Sequence, residues 1–182
     1  MSGTQVHLYF AYGSNLHPLR MADRLAAPQL RGRIALPGWT RAFDKRGRDG
    51  SGKATLVAAD AVVHGALYAL TTADKRRLDA IEGLGTGYDE VLLEFPGIGS
   101  ASTYLARADA RADGLVPFDW YLGLIVAGAH HLRFPAVEIA ALETTPTLPD
   151  RDPARAATHA RLLAACAAHP PFECISSARP TK

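Results

Sequence analysis

Val6-His7-Leu8-Tyr9-Phe10-Ala11-Tyr12-Gly13-Ser14-Asn15-Leu16 decides how the chain reads. Its first half is apolar, aromatic and β-branched, the composition of a buried strand, and it breaks at Gly-Ser-Asn, residues that make tight turns. Pro18 follows, with Leu19, Met21 and Leu25 beyond it, so the turn feeds a short helix with a first-turn proline and Asn15 as its expected N-cap. Such a strand–turn–helix junction leaves backbone amides pointing outward. Amides in that position bind anions and stabilise oxyanions, although turns of Gly, Ser and Asn more often serve only to reverse the chain.

Working outward, residues 34–43 and 54–59 read as strands on either side of a polar loop, 44–53, and Val62–Leu70 reads as a third strand. Thr72 is the expected cap of a helix that runs through Glu82 and stops at Gly83 in a left-handed conformation. Tyr88–Phe95 and Ala101–Leu105 form a hairpin around Pro96-Gly97-Ile98-Gly99. Beyond Pro117 the period turns helical: Trp120, Leu124, Ile125 and Ala129, then Val137, Ile139, Ala140 and Leu142, then an alanine- and arginine-rich stretch from Pro153 to Ala168. Strands first and helices afterwards predict an α+β fold with a mostly antiparallel or mixed, curled sheet. Residues 1–145 are expected to form the domain, and residues 146–182 a C-terminal helical extension.

The chain has 182 residues, 48% hydrophobic and 21% charged, which suits one globular domain and excludes a fibrous or disordered chain. Lys and Arg total 20 against 18 for Asp and Glu, and a net charge of +2 predicts no nucleic-acid partner. The basic residues between Arg31 and Lys53 (Arg31, Arg33, Arg41, Lys45, Arg46, Arg48, Lys53) suit an anionic substrate or RNA, but a solvated loop and strand face is the favoured reading, because charge runs usually face water. Cys166 and Cys174 fit neither a disulfide framework nor a zinc ribbon, and the start Met1-Ser2-Gly3-Thr4-Gln5 leads into an apolar run too short for a leader or a membrane span. No membrane association and a cytoplasmic location are the expectations.

Gly47-Arg48-Asp49-Gly50-Ser51-Gly52-Lys53 has P-loop spacing, but Ala54 stands where a magnesium-binding hydroxyl is required, and a strand follows instead of a helix. Gly83-Leu84-Gly85-Thr86-Gly87 follows a helix, where a dinucleotide turn must follow a strand. His130 and His131 are neighbours, so on a helix they diverge, and no metal site is expected from them.

The string Tyr9-Phe10-Ala11-Tyr12-Gly13-Ser14-Asn15-Leu16 resembles the signature loop of the gamma-glutamylcyclotransferase family, which includes gamma-glutamylamine cyclotransferases and AIG2-like plant proteins. His64–Leu70, Leu78-Asp79-Ala80-Ile81-Glu82-Gly83, Tyr88, Ser102-Thr103-Tyr104-Leu105 and Pro117–Tyr121 follow in the family's order, so the resemblance spans Val6 to Glu143. It implies a small mixed sheet, curled or barrel-like, with peripheral helices. It also implies a reaction in which the α-amine of a gamma-glutamyl amide attacks its own γ-carbonyl, giving 5-oxoproline and a released amine or amino acid. Glu82 then corresponds to the acid/base. Tyr9, Phe10, Ala11, Tyr12, Gly13, Ser14, Asn15, Leu16, Tyr88 and Tyr121 correspond to the substrate site, with Tyr88, like Tyr104, a weaker candidate than Tyr121. No cofactor and no metal are implied, the partner is a small gamma-glutamyl molecule, and a homodimer is permitted. A non-catalytic module on the same fold, one that binds small carboxylates or has a regulatory role, is the alternative.

Glu82 is also unusual on physical grounds. A carboxylate in the last turn of a helix faces the negative end of the dipole, where stability alone would place Lys or Arg. Intramolecular attack needs only positioning and one proton carrier, a task that suits a lone carboxyl group.

Overall fold

The computed structural model describes residues 5–173, so the expectations for residues 1–4 and for Cys174 fall outside it. β1 (Val6–Ala11) lies at the centre of a five-stranded sheet. On one side it runs antiparallel to β3 (Gly52–Thr71), in register from Val6↔Thr71 to Ala11↔Ala66. On the other it runs parallel to β5 (Gly99–Ala106), with Tyr9 opposite Ser102. β2 (Gln29–Arg46) pairs with β3 and β4 (Tyr88–Phe95) with β5, both antiparallel, giving the order β2-β3-β1-β5-β4. This open mixed sheet with helices around it is the α+β class that the sequence predicts.

The strands of the first hairpin are longer than their sequence signals. β3 is continuous through Asp60, where the pattern suggested a break, and β2 begins at Gln29 instead of residue 34. The ladder reaches Lys45↔Lys53 and Arg46↔Gly52, which shortens the expected 44–53 loop to residues 47–51. Polar residues do not end these strands, because an antiparallel hairpin at a sheet edge needs apolar side chains on one face only. Register shifts at Leu30/Gly32, Pro37/Trp39 and Ala42/Lys45 mark irregularities in the hairpin, and Pro37 is tolerated because β2 is an edge strand.

Helices α1 (Pro18–Arg24), α2 (Thr72–Glu82), α3 (Asp119–His131), α4 (Ala136–Glu143) and α5 (Pro153–Ala168) surround the sheet. Two caps differ from expectation by a residue or two. His17, not Asn15, caps α1 by accepting the Leu19 amide, because Asn15 is engaged elsewhere; Thr71, not Thr72, caps α2 by accepting the Asp74 amide.

α3 is apolar on most of its circumference and buries Trp120, Tyr121, Leu124, Ile125 and Ala129, as a core helix does. It meets the turn after β1 at Gly128, where an added Cβ would lie 2.3 Å from the Leu16 Cβ. Phe10, Leu16, Met21, Tyr68, Leu70, Leu78, Leu124 and Ile125 are fully buried between the sheet and these helices, and each aliphatic or aromatic side chain so buried stabilises the fold by about 1.5–3 kcal/mol.

α5 lies against α3. Leu163 packs on Gly123, the His159 ring stacks on Trp120 at 3.7 Å, and Asp150 accepts from Trp120 Nε1 at 2.8 Å and from Arg155 Nε at 2.6 Å. No helix among the described residues is long and apolar enough to cross a membrane.

Candidate active site

The turn after β1 is held in place from several directions. Tyr68 on β3 donates to the Leu16 carbonyl at 2.9 Å, Thr103 on β5 to the Phe10 carbonyl at 2.8 Å, and Arg41 Nε to the Tyr12 carbonyl at 2.8 Å. The Leu16 amide closes the turn on the Gly13 carbonyl at 3.2 Å. The amides of Gly13, Ser14 and Asn15 make no hydrogen bond among the described residues and remain available to a ligand.

Across from the turn, α2 ends at Glu82 because Gly83 adopts the left-handed conformation (φ 71°) and its amide bonds back to the Asp79 carbonyl. The Glu82 carboxylate is thereby presented to Asn15: Asn15 Nδ2 donates to Glu82 Oε1 at 2.9 Å and to the Tyr9 hydroxyl at 3.1 Å. Arg24, in the last turn of α1, donates through Nη1 to Glu82 Oε1 at 2.9 Å and to Asn15 Oδ1 at 2.8 Å. One carboxylate oxygen is thus held twice, while Oε2 has no partner among the described residues.

Tyr9, Tyr12, Tyr88, Tyr104 and Tyr121 surround this cluster and, with Gly13, Ser14, Asn15, Ala54 and Glu82, enclose an inner pocket of about 30 Å³. Tyr88 donates to the Ala54 carbonyl at 2.7 Å and Tyr121 accepts from the Ala54 amide at 3.0 Å, so both phenols are fixed by one residue of β3. Tyr12 donates to the Tyr104 carbonyl, and Tyr104 donates to Asp79 Oδ1 at 2.5 Å. Burial pushes Tyr121 up to about 12, and burial also raises Tyr9, Tyr12, Tyr88 and Tyr104 well above the ordinary phenol value, so all five are neutral phenols at physiological pH.

The pocket opens into a cleft of about 400 Å³ that shares Ser14, Glu82, Tyr88 and Tyr121 with it. The outer wall is strongly cationic: Arg20, Arg24, Lys45, Arg48, Lys53 and Arg155 stand against Glu82 and Asp49. Lys45, Arg48 and Lys53 therefore belong to the cleft and not to a merely solvated face, which corrects the reading of the basic 31–53 stretch. The hairpin register is what brings them there. Burial depresses Lys45, with the Glu82 charge opposing it, and Lys45 lies 4.8 Å over the Tyr88 ring. The P-loop-like segment is a hairpin turn whose lysine is taken by its own Asp49 at 2.8 Å.

The structure brings together Glu82, Tyr9, Tyr12, Gly13, Ser14, Asn15, Tyr88, Tyr121 and Tyr104. It does not bring Phe10, Ala11 or Leu16 to the pocket; these side chains are 0% exposed and belong to the core that supports the turn. Sequence reasoning missed Arg24. The available signal was its spacing four residues from Arg20 on the helix after the turn, which puts both guanidinium groups on one helix face.

The open five-stranded mixed sheet with helices around it is a fold that solved cyclotransferase-like structures share. Residues 9–122 match the family described as gamma-glutamyl cyclotransferase, AIG2-like, and the chain belongs to that family. Among solved structures it is similar to a gamma-glutamyl cyclotransferase (21% identity, TM-score 0.71, covering 79% of this chain and 90% of the other). It is also similar to a human protein described as uncharacterized (22% identity, TM-score 0.69, 79% and 89%) and to YkqA of Bacillus subtilis (22% identity, TM-score 0.65, 79% and 56%). At these identities the likeness is one of fold. No match was found among curated proteins.

Proposed function

We propose that the protein cyclises a gamma-glutamyl amide to 5-oxoproline and releases the amine or amino acid, with Glu82 as the single acid/base. The observation that carries this reading is the 2.9 Å hydrogen bond from Asn15 Nδ2 to Glu82 Oε1, which seats a carboxylate beside a turn whose Gly13, Ser14 and Asn15 amides have no partner among the described residues. In the reaction the substrate's α-amine attacks its γ-carbonyl, so a nitrogen–carbon bond forms while the amide bond to the leaving nitrogen breaks. Glu82 takes the proton from the attacking nitrogen, through the oxygen that Asn15 and Arg24 leave free, and returns it to the leaving nitrogen. The amides of Gly13, Ser14 and Asn15 receive the charge that develops on the carbonyl oxygen.

Asn15 and Arg24 fix the carboxylate's direction, and the neutral phenols of Tyr9, Tyr12 and Tyr121 wall the glutamyl group without competing for its proton. Ring closure within one molecule obtains most of its acceleration from such positioning. The cationic wall, in which Lys45 and Arg48 stand beside the Asp49-paired Lys53, favours substrates whose leaving part is anionic.

Incubation with glutathione, gamma-glutamyl dipeptides and gamma-glutamyl amines, with 5-oxoproline as the readout, tests the proposal. Product from an anionic gamma-glutamyl dipeptide, absent with Glu82→Gln, is the expected result. No product from any member of the panel would leave the fold as a carboxylate-binding module.

A further inference from the structure

Outside the residues that line the cleft and the inner pocket, three imidazoles from three parts of the chain converge. His17 caps α1, His131 ends α3 and His169 follows α5. One ring nitrogen from each lies within 4.8 Å of the others. The ring centroids are 4.6, 5.4 and 5.2 Å apart, at interplanar angles of 50°, 83° and 61°. Three imidazoles on one tetrahedral ion, each with a metal–nitrogen distance of about 2.1 Å, hold their ring centres roughly 5 Å apart. The ring centres are spaced as those of ligands would be, and the nitrogens, within 4.8 Å of one another, would draw in to about 3.4 Å around the ion.

Their hydrogen bonding points the same way. His17 is 0% and His131 6% exposed, yet His17 Nε2 and both ring nitrogens of His131 make no hydrogen bond among the described residues. Buried polar atoms are ordinarily satisfied, and one left unpaired is costly. The Cys166 and Pro170 carbonyls lie near the His17 and His131 rings and oppose their loss of basicity, but neither closes a hydrogen bond of normal geometry.

His169 Nδ1 lies 3.1 Å from the Pro170 carbonyl, an acceptor for its N–H, which leaves Nε2 as a lone-pair donor. Adjacent His130 points away, exposed and paired with Glu143 at 3.0 Å. The divergence expected of neighbouring histidines frees His131 to face His17.

We propose that His17, His131 and His169 form a three-histidine site for a divalent first-row transition ion of the zinc class, with water in the fourth position. An ion there ties the start of α1 to the ends of α3 and α5. Ligation through His17 Nε2 requires that ring's proton on Nδ1, which now accepts the Leu19 amide at 3.1 Å. The site therefore exchanges one capping hydrogen bond for a stronger metal–imidazole bond. Imidazole-only ligation suits zinc, copper, nickel and cobalt and disfavours magnesium and calcium.

The test uses tag-free full-length protein stripped with chelator and titrated with Zn(II) by calorimetry and with Co(II) by visible absorption. One equivalent of Zn(II), a rise in Tm on binding and the intense d–d bands of tetrahedral Co(II) are expected. His169→Ala, which removes the partly exposed ligand outside the helix, is expected to fold as the parent does and to weaken binding on the order of 100-fold. His131→Ala should do the same where it folds, and His130→Ala should bind as the parent does. Absence of stoichiometric uptake, or uptake undiminished in His169→Ala, overturns the assignment.

Discussion

Asn15 and Glu82, 67 residues apart in sequence, meet through a 2.9 Å hydrogen bond from the amide of one to the carboxylate of the other. On the proposed mechanism Asn15 positions the carboxylate without exchanging a proton. Glu82→Gln is expected to lower kcat by about 10²–10⁴-fold, the range for losing a general acid/base, with Tm nearly unchanged. Asn15→Ala should lower kcat by up to about 100-fold, as misplacement of a catalytic group does. Because both changes act through one carboxylate, the double variant should be little worse than Glu82→Gln alone. Additive losses in that cycle would show that Asn15 has a separate role.

Gly83 sets the end of α2 and hence the direction of Glu82. With φ at 71°, and a side chain at this position approaching Thr86 Oγ1 to 3.1 Å, Gly83→Ala should destabilise the protein by about 1–2 kcal/mol. Part of that cost can be relieved by unwinding the last turn of α2, so activity should fall more than Tm does. Thermal melts and 5-oxoproline assays on the same sample separate the two.

Gly128 controls how closely α3 approaches the turn. A methyl group there would lie 2.3 Å from Leu16 Cβ and 3.0 Å from the His17 amide nitrogen, both on the segment that leads out of the turn. Gly128→Ala should therefore cost about 1–3 kcal/mol as an overpacked core position and raise KM, since α3 also carries Tyr121. A normal KM in a destabilised variant would mean that α3 adjusts without moving Tyr121.

His159, stacked on Trp120, gives the α5 contact a pH dependence. Burial first, then the charges of Arg20 and Arg24, lowers it to about 4 from an ordinary 6.5. Between those values the unfolded chain holds a proton that the folded one does not, so stability falls as pH drops from about 6.5 to about 4 and is level with respect to this group above that window. His159→Phe, which can preserve the stack, should reduce the slope of Tm against pH in that interval.

The element types were legible because the periodicities are clear: aromatic alternation in β1, a helix ending at Glu82-Gly83, and an apolar α3. The continuous β2–β3 hairpin was not, because charged residues on its exposed face read as loop when only one strand is in view. In the site, Glu82 and the Gly13–Asn15 turn carried local signals. Lys45 and Lys53 did not, because what places them is the approach of the hairpin end to the turn, a tertiary relationship that no local spacing encodes, and Arg24 had only its spacing from Arg20, which does not say that Glu82 lies opposite. His17 was obscured by the same limit: read alone it follows a turn, and its neighbours His131 and His169 lie more than a hundred residues away.

The parallel seam between β1 and β5 joins two halves that can each assemble locally, the β2–β3 and β4–β5 hairpins. Thr103 reaches across it to the Phe10 carbonyl over 93 residues of chain, so closing it carries a larger loop-entropy penalty than forming either hairpin. Tyr9 and Tyr12 stand on one side and Tyr104 on the other. A refolding chain would regain its hairpins before its pocket, and recovery of turnover would trail recovery of the far-ultraviolet signal.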